Sequence, residues 1–312
     1  MMRTAGIVAV VLTLFAVPTP VSAEGGELQG TLTLSGAWAI YPTAVAWGQA
    51  FEELHPAVKV DISAGGAGKG AADAIAGLVD IGMVSREPDP AEVKKGITPV
   101  CVLHDAVFPV VSERNPALPE ILRFGMRVKT LSEIYVTGNI TTWDAAVRSK
   151  TGRPIHVYTR SDSCGASAAW AAPFGKKQED LRGIGVYGDP GLLQAVVRDP
   201  MGLGYNNFSY VFSKDGALVS GARLVPIDAN ENGKADPEET FTDRSTAIAA
   251  IEARTYPVTR RNYFFVKGKP TGLVKEFLLF ALSEEGTRVV NSVGTSLPLP
   301  ERDRAQVLKG IE

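Results

Sequence analysis

Cysteine and histidine are scarce in this chain, with two cysteines, Cys101 and Cys164, and three histidines in 312 residues. Two thiols cannot build a disulfide scaffold, although an oxidising compartment would allow one bridge. Their different local settings favour two separate thiols. An excess of one charge is also missing: 32 basic against 34 acidic residues leave a formal charge of −2. No basic stripe or aromatic-interleaved cluster is present, so nucleic acid is not expected as a partner, and any anion site must be local. Apolar runs are short. The one from Ile7 to Val17 follows Arg3 and precedes Val21-Ser22-Ala23, the small-residue pattern of a signal-peptidase site, so residues 1–23 read as a secretory signal rather than a membrane span. With no cysteine at that site, a lipid anchor is not supported. The expected product is an exported, soluble chain beginning near Glu24, long enough to bury the cores of two lobes.

The most informative stretch runs from Ile155 to Trp170. Its β-branched residues up to Thr159 predict a strand, its small residues a tight turn, and Ala166 to Ala172 the first turns of a helix. Arg160 would then stand beside a helix N-terminus, where unpaired N–H groups and the helix dipole favour an anion and a guanidinium adds bidentate recognition of a tetrahedral oxyanion. The alternative is that Arg160 and Asp162 pair on a surface loop and the small residues only turn the chain.

Upstream, a strand (28–34), a helix (43–54), a strand (57–62), a glycine-rich loop (63–70), a helix (71–78) and a strand (79–84) follow the βαβ grammar of a parallel or mixed sheet, with ligand loops at strand ends. The glycine loop is not a nucleotide P-loop, because Gly70 follows Lys69 and the first glycine is out of place. Its glycines either present backbone donors or permit close helix–strand approach. Val100 to Val111 predicts a long buried strand crossing between lobes. Asp243 caps a predicted helix through Ala253, and Tyr263 to Val266 recrosses to the first lobe.

A second feature lies apart. Residues 228–239 match the calcium-loop pattern D-x-[DN]-x-[DN]-G-x5-E, with Asp228, Asn230, Asn232, the Lys234 carbonyl, Asp236 and Glu239 as candidate oxygen ligands of a structural Ca2+. A solvated acidic turn is the alternative. No organic cofactor is expected.

Taken in order, Ser35-Gly36-Ala37 with Tyr41-Pro42, Gly65-Gly66-Ala67-Gly68, Val79-Asp80-Ile81-Gly82, Arg160-Ser161-Asp162-Ser163-Cys164-Gly165 and Gly202-Leu203-Gly204-Tyr205 resemble the periplasmic phosphate-binding proteins of ABC importers across nearly the whole mature chain. The resemblance implies an α/β, two-lobed type II periplasmic-binding fold with a two-strand hinge. Residues 24–107 plus 257–312 would form one lobe and 108–256 the other, including the calcium-like loop. It implies a monomer that captures phosphate or a related oxyanion and delivers it to an ABC membrane permease. The ligand positions carried over are Ala39, Ile40 and Tyr41 in the first loop, Ala67 and Gly68 in the second, Ser85 and Arg86 after the third strand, and Arg160, Asp162, Cys164, Gly165 and Ala166 in the central motif. Several depart from the family. Ile40 and Ala67 replace hydroxyl residues, Ser85 stands where the proton-accepting aspartate is usual, and Cys164 and Ala166 replace serine and threonine. Backbone donors and Arg160 survive, and loss of the aspartate would weaken discrimination against fully ionised anions. Arg86 is either a ligand or a partner of Glu87.

The contrasting reading is a secreted hydrolase with Cys164 as nucleophile at a helix N-terminus. No serine elbow or paired carboxylates accompany it, so no enzyme is expected. An oxyanion scavenger or sensor without an importer is a further alternative.

Overall fold

The computed structural model describes residues 27–311, so the expected secretory signal lies outside the described residues. Among the described residues ten strands form one mixed sheet: β1 (Gly30–Gly36), β2 (Val58–Ala64), β3 (Ile81–Val84), β4 (Ile97–Ser112), β5 (His156–Arg160), β6 (Ile184–Val186), β7 (Gly202–Asn207), β8 (Ala222–Leu224), β9 (Thr259–Lys267) and β10 (Leu297–Pro298). Their order is β2-β1-β3-β9-β4-β7-β5-β6, with β8 and β10 also paired to β4. β1 lies parallel between β2 and β3, as the βαβ grammar predicts, and β5 is parallel to β6 and β7. β9 runs antiparallel to both β3 and β4, which makes the sheet mixed.

Helices cover these strands in two separate cores. One gathers Leu32, Leu34, Trp47, Phe51, Met83, Phe264, Phe265 and Phe277, and the other Phe108, Tyr135, Trp143, Trp170, Tyr205 and Phe208. β4 feeds both, with Val100, Val102 and Leu103 in the first and Ala106, Val107 and Phe108 in the second. Its nearly continuous apolar pattern reflects burial on both faces, the signature of a central strand. The change-over falls at Asp105, which pairs in register with Arg260 of β9. These two strands are the paths by which the chain crosses between cores. Val258 and Leu297, from the C-terminal part of the sequence, pack on the second core.

The helix predicted over 71–78 begins earlier, spanning Ala67–Ala76. Glycine propensity argued for a loop, but tertiary packing overrides it. A Cβ at Gly70 would overlap the carbonyl oxygen of Met83 and crowd that of Ser35, so glycine lets this helix lie directly on β1 and β3. Asp243 caps Arg244–Glu252 by accepting from the Thr246 N–H at 3.0 Å, as predicted. No helix among the described residues is long and apolar enough to cross a membrane.

Candidate functional site

β5 ends on Arg160, and four residues later Cys164 caps the helix Gly165–Ala171, its Sγ accepting from the Ser167 N–H at 3.4 Å. The Arg160 side chain is completely enclosed. Below it, the Tyr205 hydroxyl accepts from the Arg160 N–H at 3.3 Å and bonds Ser167 Oγ at 2.6 Å and Thr159 Oγ1 at 2.8 Å. Tyr205 thus ties strand, turn and helix together. Arg160 and Asp162 do pair, with Nε donating to Asp162 Oδ1 at 2.8 Å and Nη2 to Oδ2, and both side chains are enclosed although the neighbouring Ser161 and Ser163 are exposed.

Arg160 also donates through Nη1 to Asp189, a residue that sequence reasoning missed. Asp189 opens the helix Asp189–Arg198 and is buried. Its other carboxylate oxygen accepts from Asn207 Nδ2 at 2.5 Å, and its carbonyl accepts from Asn206 Nδ2 at 2.8 Å. Asn207 Oδ1 in turn accepts from Arg260, which holds Asp105 by Nε at 3.1 Å and Nη2 at 2.5 Å. A buried charged chain therefore runs Asp162–Arg160–Asp189–Asn207–Arg260–Asp105, from the motif to the pair on the two crossing strands. Three carboxylates face two guanidiniums along it. Burial pushes the Asp189 carboxyl above its ordinary value, against the pull of Arg160 and Arg260. The signal in the sequence was Asp189-Pro190 at a helix start, a pattern that reads equally as a plain N-terminal acid.

The loops of the two lobes meet at this motif. The Gly68 N–H donates to the Ser163 carbonyl at 3.1 Å. A Cβ on Gly165 would overlap the Ser85 carbonyl, so β3's end and the motif's helix abut backbone to backbone. Trp38 reaches across as well: its carbonyl accepts from Tyr210 Oη at 3.1 Å, and its ring meets that of Tyr187 edge-on at 6.3 Å. Ala39 and Ile40 are buried in that same loop, and the Ile40 and Tyr41 N–H groups turn inward to the Ala37 carbonyl, each at 3.2 Å. Ala67, Gly68, Ser85, Asp162, Cys164, Gly165 and Ala166 thus lie at or beside one junction with Arg160. Helix geometry leaves the first-turn N–H groups of Ala67, Gly165 and Ala166 without an intrahelical acceptor. The Cys164 N–H is taken by Gln178 Oε1 at 2.9 Å.

Arg86 is directed elsewhere. It grips Glu92 through Nη1 at 2.9 Å and Nη2 at 2.6 Å, and its bond to Glu87 goes to the main-chain carbonyl at 3.1 Å, not to the carboxylate. Glu92 closes the capping box of the helix Pro90–Lys94, so this ion pair secures that turn. Lys69 is likewise held by Asp73.

Cys101 and Cys164 are both free thiols. Burial pushes the Cys164 thiol up despite the opposing pull of Arg160, which disfavours the thiolate a nucleophile needs. His156 is engaged with Asp199 at 2.7 Å. The loop 228–239 lies on the second lobe, its start hydrogen-bonded to Met126 and Arg127.

Two α/β cores on one mixed sheet, two strands crossing between them, and loops from both lobes meeting around an enclosed arginine define a two-lobed ligand-binding protein of the type II periplasmic-binding class. The chain belongs to the PBP superfamily, whose domain model matches residues 21–285. It is 26% identical to the phosphate-binding protein PstS of Bacillus subtilis over 85% of this chain and 79% of that protein. Protein SphX of Synechococcus elongatus is 25% identical over 95% of this chain and 84% of its own length. Among solved structures, a putative phosphate ABC transporter substrate-binding protein from Clostridium perfringens with bound phosphate superposes with a TM-score of 0.71 at 25% identity, covering 87% of this chain and all (100%) of that one.

Proposed function

We propose that this protein captures phosphate between its lobes and delivers it to the membrane permease of an ABC importer. The observation that carries the reading is the enclosed Arg160 at the junction of loops from both lobes, in a chain whose relatives are phosphate-binding proteins. An oxyanion seated there would take hydrogen bonds from the first turns at Ala67 and at Gly165–Ala166 and lie against Arg160. Bonded to both lobes, it would stabilise the closed arrangement by its differential affinity for it. Capture requires no chemistry on the ligand, which makes this a binding protein rather than an enzyme, acting as an exported periplasmic monomer.

Phosphate over sulfate follows from charge. Although Ser85 stands at the usual aspartate position, Asp162 and Asp189 both contact Arg160, so its positive charge is already more than matched. An anion that keeps a proton, as phosphate does near neutral pH, is repelled less there and can donate that proton to an acceptor. Calorimetric titration of protein stripped of bound anion, using phosphate, sulfate, molybdate and tungstate in turn, tests the reading. Phosphate binding at least 100-fold tighter than sulfate, lost in Arg160→Lys, supports it. Tighter binding of sulfate or a metal oxyanion would replace the ligand, and silence with all four would remove the transport reading.

A further inference from the structure

The geometry points to a calcium site in the loop 228–239 of the second lobe, away from the Arg160 junction; we propose that Ca2+ there fastens the loop to its lobe. The inference is independent of the phosphate reading. Its central observation is Asp228, which is 1% exposed and has an Oδ1 that accepts no hydrogen bond. A buried carboxylate oxygen without a donor is costly unless a cation supplies the missing partner. The other oxygen, Oδ2, accepts from the Gly233 N–H of the same loop at 2.9 Å and from Arg127 Nε at 3.2 Å. The first bond ties the carboxylate to the glycine turn of its own loop.

The remaining oxygens follow the alternate positions that a calcium loop uses. Asn230 Oδ1 accepts from the Asn232 N–H at 3.0 Å and Asn232 Oδ1 from the Lys234 N–H at 3.0 Å, so both amide oxygens face the loop's own backbone and each keeps a lone pair. Their Nδ2 groups are anchored on Asp236 Oδ2 at 2.8 and 2.6 Å, which fixes that orientation. Gly233, at the sixth position, has φ +84°, where a side chain would be strained. Glu239 closes the loop on itself: Oε1 accepts from the Ala229 N–H at 2.8 Å and Oε2 from the Asp236 N–H at 3.1 Å, each oxygen again keeping a lone pair. Among the described residues no three His, Cys, Asp or Glu side chains converge on one point, so the ligand set is mixed, with amide and main-chain oxygens supplementing Asp228 and Glu239. Hard oxygen donors of this kind suit Ca2+, whereas Mg2+ demands near-ideal octahedral geometry and holds its own waters.

The test is thermal unfolding of the whole mature protein in 1 mM CaCl2, in 1 mM MgCl2 and in chelator, with calorimetric titration of Ca2+ alone. With affinity in the range of extracellular modules, Ca2+ should raise the melting temperature by about 3 °C or more over chelator, and Mg2+ should raise it by less than half as much. Asp228→Asn keeps the side-chain shape and should abolish the shift. Asn232→Ala, at an exposed position that does not endanger folding, should weaken Ca2+ at least 10-fold while leaving phosphate affinity unchanged. Identical melting of the wild type with Ca2+ and chelator, an equal shift with Mg2+, or a full Ca2+ shift in either variant would overturn the site.

Discussion

The Gly68 amide of one lobe donates to the Ser163 carbonyl of the other at 3.1 Å, directly beside the enclosed Arg160. The two loops are thus in backbone contact in the structure, and the closeness depends on residues that present no side chain. Gly165 is the tightest point, because a Cβ there would overlap the Ser85 carbonyl. Gly165→Ala should hold the lobes apart, weakening phosphate by at least 10-fold while lowering the melting temperature by only a few degrees. Calorimetry together with small-angle scattering, read with and without phosphate, would show both effects, and unchanged compaction would count against it.

Removing the charge at Arg160 should destabilise the fold in addition to removing the proposed ligand contact. Arg160→Ala strands Asp162 and Asp189, and breaking a buried ion pair in this way costs about 3–5 kcal/mol. Arg160→Lys keeps the charge but cannot hold two carboxylates with a planar fork. Denaturant titration should therefore rank wild type above Lys above Ala.

Cys164 should behave as a helix cap. Its raised thiol pKa and burial predict negligible alkylation by iodoacetamide at neutral pH until the protein is unfolded. Cys164→Ser supplies a better capping oxygen and should retain phosphate binding with equal or greater stability. Rapid labelling of the native protein at Cys164 would revive the nucleophile reading.

His104 sits on β4 next to the crossing point, and its Nε2 is buried without a partner. Burial, followed by the charge of Arg261, holds its pKa below the ordinary 6.5, with Arg254 acting in the same direction and Asp303 opposing. The folded protein then binds fewer protons here than the unfolded chain, so this contribution is fully present above pH 6.5 and is lost progressively below it, as the pH falls through the lowered folded-state pKa. Urea midpoints measured from pH 8 to pH 5 should fall more steeply for wild type than for His104→Gln.

Local pattern carried much of the fold. The alternation before Arg160, the small residues after it, the cap at Asp243 and the nearly continuous apolar run of β4 each depend on near neighbours, so strand, turn and helix were readable where they occur. The glycine loop was misjudged because Gly70 answers to the Met83 carbonyl on another strand, not to its own segment. Arg86 carried two readings from sequence, and neither named Glu92, whose capping role only becomes evident once the turn is folded.

By itself the sequence determined the βαβ alternation of an α/β sheet, the arginine beside a helix start and the calcium-like loop, because those features are set by residue type and short spacing, whereas the two-lobed plan followed from the resemblance of the ordered motifs to the phosphate-binding family. Which charges surround Arg160 was decided only by tertiary structure. Asp189 lies 29 residues away from Arg160 in the chain, and Arg260 lies 155 from Asp105. Pairings over such separations depend on how the strands are ordered in the sheet, and once buried, each charge had to find whichever partner that order placed beside it.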